Sequence, residues 1–353
     1  MTRKNRGQKV RTFEKWTPVE DESPNVRLRF RIDDHFPVFE IFKDLAAGDE
    51  LILDEASMDL RNVLSEFPSN GPSLDQARST ISIWSWNING MRSAMVGFLR
   101  VIREYRPTVI CLQEVKSTTY ECGIQQGSLF SVLRATGYRY IQWNPNRHDS
   151  GDAGTAILSL YPFDNVEVRI DNEKLQSEGR FMAVDIGPVV VINHYAPCTK
   201  PGKTERTVLL GVERRAEWDK QFVIACDKVK KLTGKRITVQ GNFNVCTQAS
   251  EYWSEGTDTF DTNASCTVAE RNAFAHLKEK LDLIDGFDTL HQDVAGEDKI
   301  TFRGNFPRTD DGGGGECRMR LDYSLVPPGS IKDRHGKHTG AFYVQNVRHM
   351  ALG

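Results

Sequence analysis

From Ile81 onward the chain repeats one texture: a short apolar run, a polar pair at its end, then another apolar run. That texture restricts the fold more than any other feature. Ile81 to Trp86 reads as a buried strand, and Thr108 to Leu112 as a second. Between them Met95, Phe98, Leu99, Ile102 and Tyr105 share one face of a helix, which Pro107 closes. Further strands are expected at Thr155 to Leu158, Val166 to Ile170, Phe181 to Ile186, Val189 to His194 and Ile237 to Gln240. Thr301, Arg320 to Val326 and Phe342 to Val347 mark a last group. Helices are expected around Trp218, Phe222, Ala225 and Val229, and over Ala269 to Leu281. Many strands with few helices imply an α/β (α+β) fold, with two sheets face to face and helices outside.

The segment before Ile81 differs. MTRKNRGQKVR is basic with no acid before Glu14, and reads as a solvated tail or a nuclear address. A mitochondrial presequence fits less well, because serine and an amphipathic apolar stripe are absent. Val26 to Ile32 alternates as one half-exposed strand. Pro37 to Phe67 carries no motif, and Pro68 to Ser79 has the Ser, Pro, Gly and Asn content of a linker. The expected division is therefore an extension over 1–79 and a main domain over 80–353. The net charge of −2 leaves room for a basic groove balanced by an acidic site. No apolar run approaches the roughly 20 residues of a membrane span, so no membrane partner is expected. Seven scattered cysteines without a CxxC pair argue against a zinc ribbon and for free thiols in a reducing, intracellular compartment.

The polar strand ends carry the chemistry. Asn87 and Asn89 lie in WNING, Gln113 and Glu114 in LQEVK, Tyr195 after VVVINH, Asn242 and Asn244 in GNFNV, and Arg320 and Asp322 in RLDY. One such residue alone is a solvated loop end or turn chemistry. Repetition at successive strand ends is how active sites are assembled.

These motifs, with a GxxxLS-like run at Gly154 to Ser159, EGR at Glu178 to Arg180 and Tyr-x-Pro at Tyr195 to Pro197, resemble the exonuclease III and apurinic/apyrimidinic endonuclease group. That group belongs to the endonuclease/exonuclease/phosphatase superfamily. The resemblance covers Ile81 to Gly353. It implies a four-layer sandwich, two packed mixed sheets flanked by helices. It implies a monomeric DNA-repair enzyme that hydrolyses the phosphodiester 5′ to an abasic site in double-stranded DNA. Mg²⁺ would serve as cofactor, with Mn²⁺ as the alternative. By resemblance Glu114 is the main metal ligand, supported by Asn87 and Asn89. Tyr195 donates to the phosphate, Asn244 orients it, and Asp322 holds a histidine that follows near the family's C-terminus. Tyr323 reads as core. Phe302, Met319 and Leu321 would form an apolar pocket for the flipped-out abasic sugar. Without the resemblance these three are ordinary core residues.

The sequence also departs from the family. GNFNV has an amide at Asn242 where the family has the aspartate that activates or aligns water. Cys198 replaces the asparagine after Tyr-x-Pro, and Met319 replaces a tryptophan. A segment like Ala351-Leu352-Gly353 is followed in the family by Ser-Asp-His and a closing strand. Those residues do not occur here, and the expectation is a chain truncated before its last strand, with cleavage impaired. His349, His335 and His338 do not fit the missing role. The alternative is an inactive member of the fold that binds nucleic acid or scaffolds a complex; an RNA or phosphoinositide phosphoesterase fits the motif spellings less well. A P-loop is excluded by the spacing at Gly234-Lys235. The acids Asp310, Asp311 and Glu316 argue against phosphate cradling by the glycines at 312–315, which read as a loop. Arg92, Lys116, Arg147, Lys200, Lys203 and Arg303 are the candidate phosphate contacts, expected on one face with Glu114.

Overall fold

The computed structural model describes residues 28–33, 36–41, 81–116, 133–134, 136–149, 151–199, 205–256, 259–261, 263–306, 314–331 and 344. The alternating run near the start is not a lone strand. Strand β1 (Leu28–Asp33) pairs antiparallel with β2 (Phe36–Ile41) as a hairpin. The linker at Pro68 to Ser79, the strand at Phe342 to Val347 apart from Val344, and the tail histidines lie outside the described residues.

The main body continues with β3 (Ile83–Asn87), helix α1 (Met91–Tyr105), β4 (Val109–Gln113), β5 (Tyr140–Asn144) and β6 (Thr155–Ser159). Next come β7 (Asp164–Asn165), α2 (Glu173–Ser177), β8 (Phe181–Asp185), β9 (Val190–Tyr195), α3 (Glu205–Thr233) and β10 (Ile237–Asn242). The rest is β11 (Tyr252–Ser254), α4 (Val268–Leu281), β12 (Ile284–Asp285), α5 (Gly286–Leu290), β13 (Phe302–Phe306), β14 (Gly315–Met319) and β15 (Asp322–Val326). One sheet runs β3-β4-β6-β5 and a second runs β12-β15-β10-β9-β8-β7. A small third sheet, β11-β14-β13, was not foreseen.

The layers follow from strand alternation. On β4, Ile110 and Leu112 pack with Met95, Phe98, Leu99 and Ile102 of α1. The intervening Val109 and Cys111 face Met182, Val184 and Val191 of the second sheet. On β9, Val190 and Ile192 turn the other way, onto Trp218 and Phe222 of α3 and Phe274 of α4. Helix, sheet, sheet and helix thus form the four-layer sandwich. Each fully buried Leu, Ile or Phe there contributes about 1.5–3 kcal/mol. Helix α4 begins with a capping box, in which Thr267 and Glu270 satisfy each other's backbone donors.

Three expected strands come out differently. Ile83–Asn87 is half-buried, because β3 is an edge strand. Tyr105, assigned to the apolar face of α1, is 44% exposed and stacks on Trp84. Val166 to Ile170 is irregular; the Ile170 N–H bonds to the Gln176 side chain at 2.7 Å instead of a ladder partner. Arg320 to Val326 is not continuous. The chain leaves the small sheet at Met319 and enters the large one at Asp322, with Arg320 and Leu321 between.

A polar seam joins the two large sheets. Gln113 and Asn193 are fully buried, and Gln113 Nε2 donates to Asn193 Oδ1 at 2.7 Å. Asn193 Nδ2 donates to the Leu112 and Ala156 carbonyls at 2.9 and 2.8 Å. Paired in this way, the two carboxamides avoid most of the cost of burial.

Candidate active site

Two cross-strand rows end at the same edge of the sandwich. In the first sheet Asn87 lies opposite Gln113, and Glu114 follows directly. In the second, Asn242 lies between Tyr195 and Asp322. Neither row needs residues close in sequence; strand pairing alone assembles them.

Glu114 is the hub. Its Oε1 accepts from Asn87 Nδ2 at 2.7 Å and from the Tyr195 hydroxyl at 2.8 Å. Its Oε2 is 3.0 Å from the Lys116 ammonium. Burial would push this carboxyl up, but the bonds from Asn87, Lys116 and Tyr195 hold it below the usual range. Lys116 also donates to Asn89 Oδ1. So all three residues assigned to the metal side, Glu114, Asn87 and Asn89, meet at one place. The backbone is strained there: Asn89, Glu114, Lys116 and Asn244 all have left-handed φ, between 45° and 54°. Asparagine tolerates that region, whereas glutamate does so at a cost of about 1–3 kcal/mol. The loop is held by Gly90 N–H to Glu114 O at 2.7 Å and Val115 N–H to Gly154 O at 3.2 Å. Strain held in this way is a mark of functional sites.

On the other row Asn242 is buried, and its Oδ1 accepts the Asn244 N–H at 2.8 Å. Asn244 Nδ2 donates to Ala196 O at 2.7 Å. The Oδ1 of Asp322 is sealed from solvent with no partner among the described residues. Burial, and then the Glu114 carboxylate, push Asp322 up to about 7; a bond from Thr301 and the charge of Arg320 oppose them.

Residues 84–339 match the Endonuclease/Exonuclease/phosphatase family. The chain belongs to that family. An exodeoxyribonuclease of Bacillus subtilis is 27% identical over 217 residues, covering 60% of this chain and 76% of the relative. A DNA-(apurinic or apyrimidinic site) endonuclease of Dictyostelium discoideum is 26% identical over 250 residues. That match covers 70% of this chain but only 62% of the Dictyostelium protein, so the chain spans less than two thirds of it. Among solved structures, an AP endonuclease from Archaeoglobus fulgidus superposes with a TM-score of 0.54 at 20% identity, covering 71% of this chain and 88% of that one. A Neisseria 3′ phosphatase bound to product DNA hairpin gives 0.54 at 19%, with the same coverage. The fold is therefore that of the exonuclease III and apurinic endonuclease group.

The structure gives the EGR motif, Glu178 to Arg180, a setting beside Tyr195. The Arg180 guanidinium lies over the Tyr195 ring, 4.5 Å from its centroid. Glu178 and Asp152 hold it at 2.5 and 3.2 Å, and Arg214 also bonds to Glu178. Gly179 between them has φ 67°, and a Cβ there would lie 2.3 Å from the Asn144 carbonyl oxygen. Only glycine fits that position. His194, beside Tyr195, is buried among aromatic rings and accepts from Trp218 Nε1 at 3.0 Å. Burial, with Arg215 and Arg180 nearby, keeps it neutral.

Phe302, Met319 and Leu321 do meet, in one cluster with Cys246, Cys266 and Cys317. Met319 and Leu321 are buried, while Phe302 is half-buried. Tyr323 is core, its hydroxyl on Val245 O at 2.9 Å. The candidate DNA contacts divide. Lys116 touches Glu114 directly, Arg92 is half-buried on α1 and Arg147 is exposed. Arg303 pairs across strands with Arg318, one residue out of phase with Phe302 and Met319, so it lies on the opposite sheet face from those two. Lys200 and Lys203 lie outside the described residues.

Asp322→Asn tests the strain on this row. A carboxyl whose folded pKa is raised favours the folded state while protonated and opposes it when ionised. The wild type therefore loses stability as pH rises from about 4 through about 7. The amide should raise the unfolding free energy from urea melts at pH 8, by at most about 4 kcal/mol, and change it little at pH 4. An equal effect at both pH values would contradict the assignment.

Proposed function

We propose that this chain is a divalent-metal-dependent phosphodiesterase of the apurinic/apyrimidinic endonuclease type. It acts on duplex DNA with abasic sites and cuts poorly with asparagine at 242. The observation that carries this reading is the convergence of the Asn87–Glu114 pair and the Tyr195–Asn242–Asp322 row at one edge of the sandwich. The names of the Bacillus and Dictyostelium relatives support DNA, and an abasic site, as the substrate class.

The donor set fits a hard cation. Glu114 Oε2 already holds an ammonium. Among the described residues no three His, Cys, Asp or Glu side chains converge into a metal cage. Mg²⁺, which keeps several waters and takes one or two carboxylates, suits that arrangement better than a cation needing full protein coordination. When bound, the metal neutralises charge on the scissile phosphate. Tyr195 donates its hydroxyl proton toward a phosphate oxygen, and Asn87 keeps Glu114 oriented. Arg180 fixes the plane of the Tyr195 ring. Asn242 can hold a water but cannot take its proton.

A second reading, a nucleic-acid-binding protein without turnover, is favoured by Asn242 alone. The deciding assay uses a duplex with one abasic site, with Mg²⁺ and with chelator. Weak, chelator-sensitive cleavage that Glu114→Gln abolishes is the expected result. Tight binding with no metal-dependent cleavage, even after Asn242→Asp, would support the second reading.

A further inference from the structure

The wall of the pocket is rich in sulfur. Cys246, Cys266, Cys317 and Met319 are buried together, with half-buried Tyr252, Phe260 and Phe302 outside them. Cys246 directly follows GNFNV, and its N–H bonds to the Ser265 carbonyl at 2.7 Å. That bond brings the backbone at Cys246 beside the backbone at Cys266. Both thiols lie in one buried cluster, and Cys246 Sγ donates to the Glu251 carbonyl at 3.3 Å. Cys266 Sγ also lies 3.7 Å from Met319 Sδ, so the pair touches the pocket wall. Half-buried Cys198 approaches the Ser265 hydroxyl at 3.8 Å, beside Cys266.

We propose that Cys246 and Cys266 form a reversible disulfide when the protein meets a peroxide, and that the bond weakens binding of abasic DNA. One thiolate attacks a peroxide oxygen, the O–O bond breaks, and a sulfenic acid forms with loss of water. The second thiol attacks that sulfur, the S–O bond breaks, and a second water leaves. The two sulfurs lose two electrons in total, and the peroxide gains them. The sulfurs must close to about 2.05 Å, which draws Cys266 off Met319 and reshapes the wall. The effect on DNA rests on the proposed pocket, whereas the chemistry of the pair does not.

The test treats the full chain with hydrogen peroxide, alkylates remaining thiols and maps peptides by mass. A Cys246–Cys266 linked peptide that dithiothreitol removes is expected. Cys246→Ser and Cys266→Ser should each lose it and Cys111→Ser should keep it. Over-oxidation of either thiol without a linked peptide would overturn the proposal, as would linkage of either to Cys198 or Cys317. Those results come from the wild type and do not depend on how the variants fold. Affinity for an abasic duplex, by fluorescence anisotropy, should fall about tenfold on oxidation and recover on reduction. A linked peptide with unchanged affinity would overturn the coupling to the pocket, leaving the disulfide in place. Metal-dependent cleavage in reduced protein tests the enzyme reading separately.

Discussion

Asn242→Asp raises cleavage of an abasic duplex by about 10²–10⁴-fold, the usual worth of a positioned acid or base. The buried Asn242 accepts the Asn244 N–H with its Oδ1 at 2.8 Å, which fixes the orientation of the amide. What it offers the cleft is then an NH₂ group. A water held by that donor is bound through its lone pair, the pair it needs for attack. Aspartate keeps the bond to Asn244 and presents a second oxygen that can receive the proton. Backbone register should not change, because Asn242 and aspartate are nearly the same size. Single-turnover rates with Mg²⁺ would measure the gain. No gain would reject the proposed role of this position.

Arg320→Ala should destabilise the fold by about 3–5 kcal/mol, enough to lower the urea midpoint severely. Arg320 is fully buried, and its Nη1 bonds to Glu251 at 3.0 Å and Asp288 at 2.9 Å, its Nη2 to Asp285 at 2.7 Å. Its guanidinium also lies 4.5 Å from the Tyr323 ring centroid. Lys299 meets Asp288 at 2.8 Å but is 3.9 Å from Glu251, so it cannot replace the fork. Removing Arg320 leaves Glu251 and Asp285 buried without their main counter-charge. Both already sit above the usual carboxylate range, because burial outweighs the pull of Arg320. Arg320→Lys should recover only part of the loss, since one ammonium cannot span three carboxylates. A loss below about 1 kcal/mol for the alanine variant would show the cluster to be solvated rather than structural.

Much of this was legible in the sequence, for a physical reason. Strand ends such as SWNING and CLQEVK pair an apolar run with a polar cap, and that contrast shows where a sheet edge opens to solvent. That contrast marks Glu114, Asn87 and Tyr195 as strand-end residues, and the family resemblance groups them in one site. The buried polar partners carry no such mark. Glu251 and Asp285 look like surface acids until Arg320 is seen between them, because their pairing spans 69 and 35 residues. The split of Arg320 to Val326 was hidden for a related reason. MRLDYSLV alternates through the break, and only the change of partner strand divides it. The role of Arg180 had a signal, the EGR spelling, but its contact with Tyr195 exists only once β8 and β9 pair.

The seam of Gln113 and Asn193 has a consequence for tolerance to change. Each sheet carries half of the reactive edge, so the gap between Glu114 and Asn242 is a gap between two plates. One carboxamide pair at 2.7 Å, anchored to two further carbonyls, works as a dowel that keeps the plates from sliding. The spacing of the two sheets is thus set from inside the sandwich, by this pair and the apolar residues packed beside it. The loops around the cleft can lengthen or change their charge to suit a different nucleic acid while the spacing beneath them stays the same.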